Sequence, residues 1–288
     1  MFVCPDCKTP LGASLFCETC HFQFANEGGI PVLFTREQRF RQGTKIGDAY
    51  NDIYTRHSNV WSDQGRTPEF IQYFAGLVQS ISTGNVLEIG CGEGFLLSAL
   101  TASGKAAIDI STQALRQARS RTQAQFSAAM AERLPFADKT FDVVLSVGVM
   151  EHFIDDGDAT REIQRVLRDG GHYVMLIHVE LSSSQRLALK FSEYVYPHFH
   201  PLALLRWLYR KATRSIIQPI QRRYTVAGVR ACLEECGLTI SRVISSESDP
   251  SSVLSGPHVM LFVSHKQPGA ARPVAPDKAC HPVPAVTQ

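Results

Sequence analysis

Three groups of residues in this chain have the type and spacing to do chemistry. Cys4, Cys7, Cys17 and Cys20 form two CxxC pairs separated by nine residues. Two such knuckles bring four thiolates into a tetrahedron that suits a structural zinc ion with no open coordination position. In the second group, Glu88 precedes three alternating glycines, Gly90, Gly92 and Gly94, and Asp109 follows. Glycines let the backbone approach a cofactor closely, and an acidic residue about twenty positions after the turn can accept hydrogen bonds from both ribose hydroxyls. The third group is a pair of histidines, His152 and His178, each just beyond or at the end of an apolar run. A histidine near its neutral pKa can take a proton from a hydroxyl acceptor.

The elements that must position these groups follow from the apolar pattern. Residues 85–100, NVLEIGCGEGFLLSAL, read as strand, glycine turn and helix, with Cys91 inside the turn. A dinucleotide site brings a pyrophosphate to such a helix N-terminus, and the carboxylates of Glu88 and Glu93 would repel it. They suit a cofactor that carries an ammonium and a sulfonium. Residues 105–111, KAAIDIS, give a second strand ending in Asp109, and Ser111 caps the helix after it. FDVVLSVGVMEHF, residues 141–153, is the fourth strand and its mouth, with Ser146 near the strand's end. An amphipathic helix at 158–168 leads into RDGGHYVMLIHV, a strand that ends near His178. Residues 70–81 space apolar groups like a helix that covers the sheet. Residues 224–243 form a closing helix and strand with Gly237 as the stop signal, and residues 258–265 supply a final antiparallel strand.

The ExGxGxG spacing resembles the first motif of class I S-adenosylmethionine (SAM)-dependent methyltransferases, and the resemblance runs from Phe70 to Ile177 with an echo near the end. It implies an α/β, Rossmann-like fold: a parallel sheet with a final antiparallel strand and helices on both faces. It implies a SAM site built from Glu88, Gly90, Cys91, Gly92, Gly94, Asp109, Ile110, Ala131, Glu132 and Ser146. Related proteins usually carry an adenine-binding aspartate where this chain has Met130, which leaves the Ala131 backbone and the Glu132 side chain for that task. The Asn/Asp-Pro-Pro-aromatic motif of enzymes that methylate adenine or side-chain amides is replaced by Val147, Gly148, Val149 and Met150. That argues against those acceptors and leaves O-, C- and other N-methylation. His152 and His178 are the candidate bases, each with a packing or hydrogen-bonding role as its alternative. Glu151 is read as fixing its loop.

The boundaries are drawn as a zinc ribbon at 1–34, a helical lead-in at 35–69, the methyltransferase domain at 70–266 with a basic helical insertion at 184–223, and a disordered Pro- and Ala-rich tail at 267–288. The ribbon resembles the small zinc-ribbon module found alone as an activator of RNA and protein methyltransferases. Its few basic residues favour docking over gripping RNA. In related enzymes an aromatic segment at the lead-in folds over the cofactor, which implies Tyr50 or Tyr54 as a contact; the alternative is that these aromatics, with Trp61, anchor the linker. Between Arg186 and Arg223 stand eight Lys or Arg and one acid, a net of +7 in a chain whose total is +2. Arg206, Arg210 and Arg214 would make one helical stripe. A solvated lid, a clamp for an anionic acceptor, and a surface for peripheral membrane contact or RNA all fit that pattern.

The chain has 288 residues and is 44% hydrophobic, enough for a packed core. It shows no leader peptide and no apolar run of about 18 residues, so a cytoplasmic enzyme without a transmembrane segment is expected. The expected function is transfer of a methyl group to a hydroxyl of a small or carrier-linked metabolite. Methylation of rRNA or tRNA by the ribbon and basic insertion together is the alternative. A non-catalytic SAM- or partner-binding protein is the third.

Overall fold

The computed structural model describes residues 1–41, 43–56, 67–180, 222, 224–245, 249, 254 and 259–269. A hairpin of β1 (Phe16–Cys17) and β2 (Phe22–Gln23) is followed by β3 (Ala25–Glu27) and β4 (Ile30–Val32), then by helices α1 (Arg36–Arg41), α2 (Gly43–Arg56) and α3 (Pro68–Ile81). Strand and helix then alternate: β5 (Asn85–Ile89), α4 (Phe95–Ala99), β6 (Gly104–Asp109), α5 (Thr112–Arg121), β7 (Gln125–Ala128), β8 (Phe141–Val147), α6 (Asp156–Val166) and β9 (Leu167–His178). Helix α7 (Val226–Glu235), β10 (Leu238–Ser245) and β11 (Val259–Lys266) close the chain.

One sheet of nine strands organises the described residues, in the order β10, β11, β9, β8, β5, β6, β7, β4, β3. Strands β5 to β9 pair in parallel, and β11 runs antiparallel to both its neighbours, so the expected Rossmann-like fold with a reversed final strand is present. Parallel strands covered on both faces need near-continuous apolar runs. In β9 the alternation divides them: Val174 and Leu176 face the core shared with Phe74, Val78, Leu97 and Leu115, while Tyr173, Met175 and Ile177 face Ile163, Val229 and Leu233. Helix α3 starts two residues earlier than its apolar spacing predicts. Thr67 accepts a hydrogen bond from the Phe70 N–H, and Pro68 occupies the first turn, where a missing N–H costs nothing.

The N-terminal segment is joined to the large sheet through its own strands. β3 and β4 leave the cysteine hairpin and extend the sheet edge, with Val32 beside Ala128 in parallel and the Leu33 N–H donating to the Ala128 carbonyl at 2.8 Å. Helix α2 lies over the end of β6, where Asn51 Oδ1 accepts from Ser111 Oγ at 2.7 Å and from the Gln113 N–H at 3.1 Å. Apart from Arg222, the basic insertion at 184–223 lies outside the described residues, as do Trp61 and residues 270–288 of the tail.

Candidate functional site

In a parallel sheet the strand ends that share one edge collect the loops that bind ligands. Here β5, β6, β7, β8 and β9 bring Gly90–Gly94, Asp109–Ile110, Met130–Glu132, Gly148–His152 and His178 to that edge. Glu88 is 1% exposed, one residue inside it. Gly90 has φ +66°, and a Cβ there would stand 2.6 Å from Val149 Cγ2, so the turn closes against the mouth of β8 only because the position is glycine. Asp109 pins the same turn. Its Oδ2 accepts from the Gly92 N–H at 2.8 Å and its Oδ1 from the Ser111 N–H at 2.9 Å. Cys91 is buried inside the turn. Glu93 is buried beside Arg121, 4.0 Å from its guanidinium.

Helix α2 completes this edge. The Tyr50 ring meets the His152 ring edge-on at 6.5 Å, and the Tyr50 hydroxyl is buried with no hydrogen-bond partner among the described residues. Burial first, then the charges of Asp109 and Glu151, push its pKa up, so the phenol stays protonated and lies in the field of both carboxylates. The sequence offered two roles for Tyr50, folding over the cofactor or anchoring the linker. Its position rests on Asn51, one residue along the helix, docking onto Ser111.

Two of the candidate cofactor contacts have their side chains used elsewhere. The Ser146 hydroxyl lies in the core at 2.7 Å from the Tyr173 hydroxyl, because strand alternation turns it to the α6 face of the sheet. The Glu132 Oε1 accepts from the Ile154 N–H at 2.7 Å and the Asp155 N–H at 3.3 Å, tying down the loop after His152. Burial raises the Glu132 pKa, against the pull of those bonds. Ala131 is buried beside it, and Ile110 packs partly buried against both Phe74's core and the Tyr50–Tyr54 cluster.

The two histidines differ in how they are held. His152 ends a short 3-10 turn, with its N–H bonded to the Val149 carbonyl. His178 ends β9, half exposed, and buried Glu151 receives both its backbone N–H at 2.7 Å and its Nδ1 at 2.8 Å on one oxygen. Burial pushes the Glu151 carboxyl up, but the His178 bonds and the charges of His178 and His152 outweigh it and hold the group below the usual range. An ionised Glu151 requires the proton on Nδ1, which puts the lone pair of the neutral ring on Nε2. Beyond His178, the chain that enters the basic insertion and the chain that leaves it meet again: Val179 bridges Tyr224, and the Arg222 N–H donates to the Glu151 carbonyl at 2.9 Å.

The four cysteines come together as their spacing requires. All four Sγ atoms lie within 4.8 Å of one another, with Cys4 and Cys20 at 3.9 Å and Cys7 and Cys17 at 3.4 Å. A tetrahedral zinc with Zn–S bonds of about 2.3 Å spaces its sulfurs by roughly 3.8 Å, so the donor set fits a zinc ribbon. Burial pushes the Cys4 thiol up, while at Cys7 the bonds with Thr9 overcome burial and bring the thiol to about 6.

The methyltransferase-domain family matches residues 87–175, the stretch from β5 to β9 that builds this edge. The chain carries a class I methyltransferase domain. Its fold is shared with a methyltransferase structure determined as a complex with the Haloferax volcanii Trm112 methyltransferase activator, at a TM-score of 0.58 and 16% identity over 78% of this chain and 99% of that one. A SAM-dependent methyltransferase of Thermotoga maritima superposes at 0.54 with 20% identity over 77% and 99%. Among curated relatives, the malonyl-[acyl-carrier protein] O-methyltransferase of Pseudescherichia vulneris is 39% identical over 90 residues, 30% of this chain and 36% of that one. The ubiquinone biosynthesis O-methyltransferase of Mesorhizobium japonicum is 29% identical over 185 residues, 61% and 68% of the two chains. The first of these curated matches thus covers about a third of the relative's length.

Proposed function

We propose that this protein binds SAM at the carboxyl edge of the sheet and transfers its methyl group to a hydroxyl of a small or carrier-linked metabolite. The observation that carries the reading is the Glu88–glycine–Asp109 turn, braced by Val149 and overlaid by the Tyr50 hydroxyl, which has no hydrogen-bond partner among the described residues. SAM supplies an electrophilic methyl on a sulfonium, with an ammonium and a ribose diol as handles. Asp109 and the Gly90–Gly94 backbone, with Cys91, face the diol side. Glu88 provides negative charge for the cationic side, and Ile110, Met130 and Ala131 offer apolar walls for the adenine. Ser146 and Glu132 act behind this surface, through the core and the 152–155 loop. Tyr50 donates a hydrogen bond to the bound cofactor and keeps water from it.

His178, with Glu151 fixing its tautomer, takes the acceptor's hydroxyl proton on Nε2 as the methyl arrives, and His152 packs beneath Tyr50. Most of the rate gain comes from alignment of the reacting atoms, with proton removal secondary. The hydroxyl preference draws on the O-methyltransferase relatives and on this base-competent pair. The cysteine cluster holds one structural zinc, and a reducing compartment such as the cytoplasm keeps its thiols available. Among the described residues no helix is long and apolar enough to cross a membrane. The solved complex with a methyltransferase activator suggests that the ribbon of this chain serves its own catalytic domain.

Incubation of the zinc-loaded protein with methyl-labelled SAM and cell extract, followed by separation of the products, tests the reading. Label in the small-molecule, carrier-protein or lipid fraction supports it. Label in RNA supports the RNA alternative, and SAM binding with no label in any fraction supports a non-catalytic role.

A further inference from the structure

The segment between β7 and β8 is held at both ends by the first 33 residues. At one end the Leu33 N–H donates to the Ala128 carbonyl at 2.8 Å, and at the other the Val3 N–H donates to the Pro135 carbonyl at 3.0 Å. The Phe2 ring lies 5.7 Å from the Phe136 ring. Between these anchors the chain passes Ala129, whose N–H bonds the Asp109 carbonyl, and Glu132, which ties down Ile154. The stretch that walls the edge beside Asp109 is therefore braced from the cysteine-bearing segment.

One side chain carries that brace into the core. Lys8 follows Cys7, and its φ of +64° is a conformation that L side chains seldom adopt. The knuckle imposes it, because the Lys8 N–H bonds the Cys4 carbonyl and the Cys4 N–H bonds the Thr9 carbonyl, both at 2.8 Å. The side chain then leaves the ribbon, placing Nζ 3.1 Å from the Leu134 carbonyl and 2.8 Å from Glu162 Oε2. Glu162 in turn accepts from the Leu134 N–H at 2.8 Å, and Arg165 bonds Glu162 and the carbonyls of Leu134 and Phe136. Both backbone polar groups of Leu134 are thus fixed by one charged network, and Lys8 is its contribution from the ribbon. Arg165 remains beside Glu162 when Lys8 is absent, so the network loses tension at Leu134 without leaving the carboxylate uncompensated.

We infer that Lys8 is a positioning residue for the cofactor site, and that the cysteine knuckle holding it makes cofactor affinity depend on whether the ribbon is metal-loaded. The inference rests on the SAM reading of that site. Without metal the knuckle relaxes, Lys8 leaves its left-handed conformation, and the 129–135 wall loosens next to Asp109.

The test is calorimetric titration of S-adenosylhomocysteine into the full-length zinc-loaded protein, its Lys8→Met and Lys8→Arg variants, and each after zinc is stripped at neutral pH. Lys8→Met is expected to weaken binding about five- to tenfold, the usual size of coupling between two sites, and Lys8→Arg to retain most of the affinity. Stripping zinc is expected to weaken wild type by a similar factor and to add little in Lys8→Met. Amide exchange of residues 129–135 should speed up in the same samples that bind less tightly. Equal affinity in wild type and Lys8→Met, or equal losses on stripping in both, overturns the inference and leaves the SAM reading standing. No binding to loaded wild type overturns the SAM reading and this inference with it.

Discussion

Substituting alanine for Gly90 perturbs the turn at the point where it meets the mouth of β8. Two costs follow from the structure. The backbone at φ +66° charges an L residue about 1–2 kcal/mol. The new Cβ would lie 2.6 and 2.7 Å from the two Val149 γ-carbons, and overpacking of that kind costs about 1–3 kcal/mol. Gly90→Ala should therefore destabilise the protein by roughly 2–5 kcal/mol. Val149→Ala removes both γ-carbons and leaves only its Cβ at 3.2 Å, so the double variant should recover most of the steric share and keep the backbone share. Urea unfolding followed by circular dichroism on the four proteins gives the coupling energy, expected at about 1–3 kcal/mol in favour of the double variant. Val149 leads into the turn that holds Glu151 and His152, so S-adenosylhomocysteine affinity should fall and partly recover in the same order. A Gly90→Ala variant within about 0.5 kcal/mol of wild type, or a double variant no better than the single, would refute this account of the turn.

Three further outcomes are expected. Glu132→Ala leaves the Ile154 and Asp155 N–H groups without their acceptor and should cost about 1–3 kcal/mol, whereas Glu132→Gln keeps an acceptor oxygen and should cost less; urea midpoints compare the two. His172 faces His265 across β9 and β11, and burial, then the His265 charge, lower its pKa. A base with a lowered folded pKa binds protons more readily unfolded, so its contribution is intact above the unfolded value near 6.5 and is lost as pH falls through it. Melting temperatures of His172→Asn should accordingly fall less than wild type between pH 7.5 and 5.5, on the order of that window. Metal analysis should find about one zinc per chain and a large loss in Cys17→Ser, because three thiolates and an alcohol bind zinc far more weakly than four thiolates.

What could be read from the sequence was local. Glu88, the three glycines and Asp109 announce themselves because strand, turn and helix succeed one another within 25 residues, and the CxxC pairs specify their own tetrahedron. The partners that decide other roles lie far along the chain. Ser146 meets Tyr173 and Glu132 meets Ile154, 27 and 22 residues away, so neither the core pair nor the loop tie leaves a local pattern. Tyr50 reaches His152 only because α2 docks on Ser111, and an amphipathic helix does not encode the element it covers. The extension of the sheet by β4 is of the same kind. A three-residue strand carries no mark of the edge it will join, and Val32 pairs with Ala128 across nearly a hundred residues. His178 was legible as a strand-end histidine, but its tautomer comes from Glu151 on a different loop.

The most direct measurement of the central claim is equilibrium binding of SAM to the zinc-loaded protein and to Asp109→Ala. One site per chain with micromolar affinity, weakened at least about tenfold when the Asp109 carboxylate is removed, is what the account predicts. Absence of binding to wild type up to about 1 mM, or equal binding by both proteins, would contradict it.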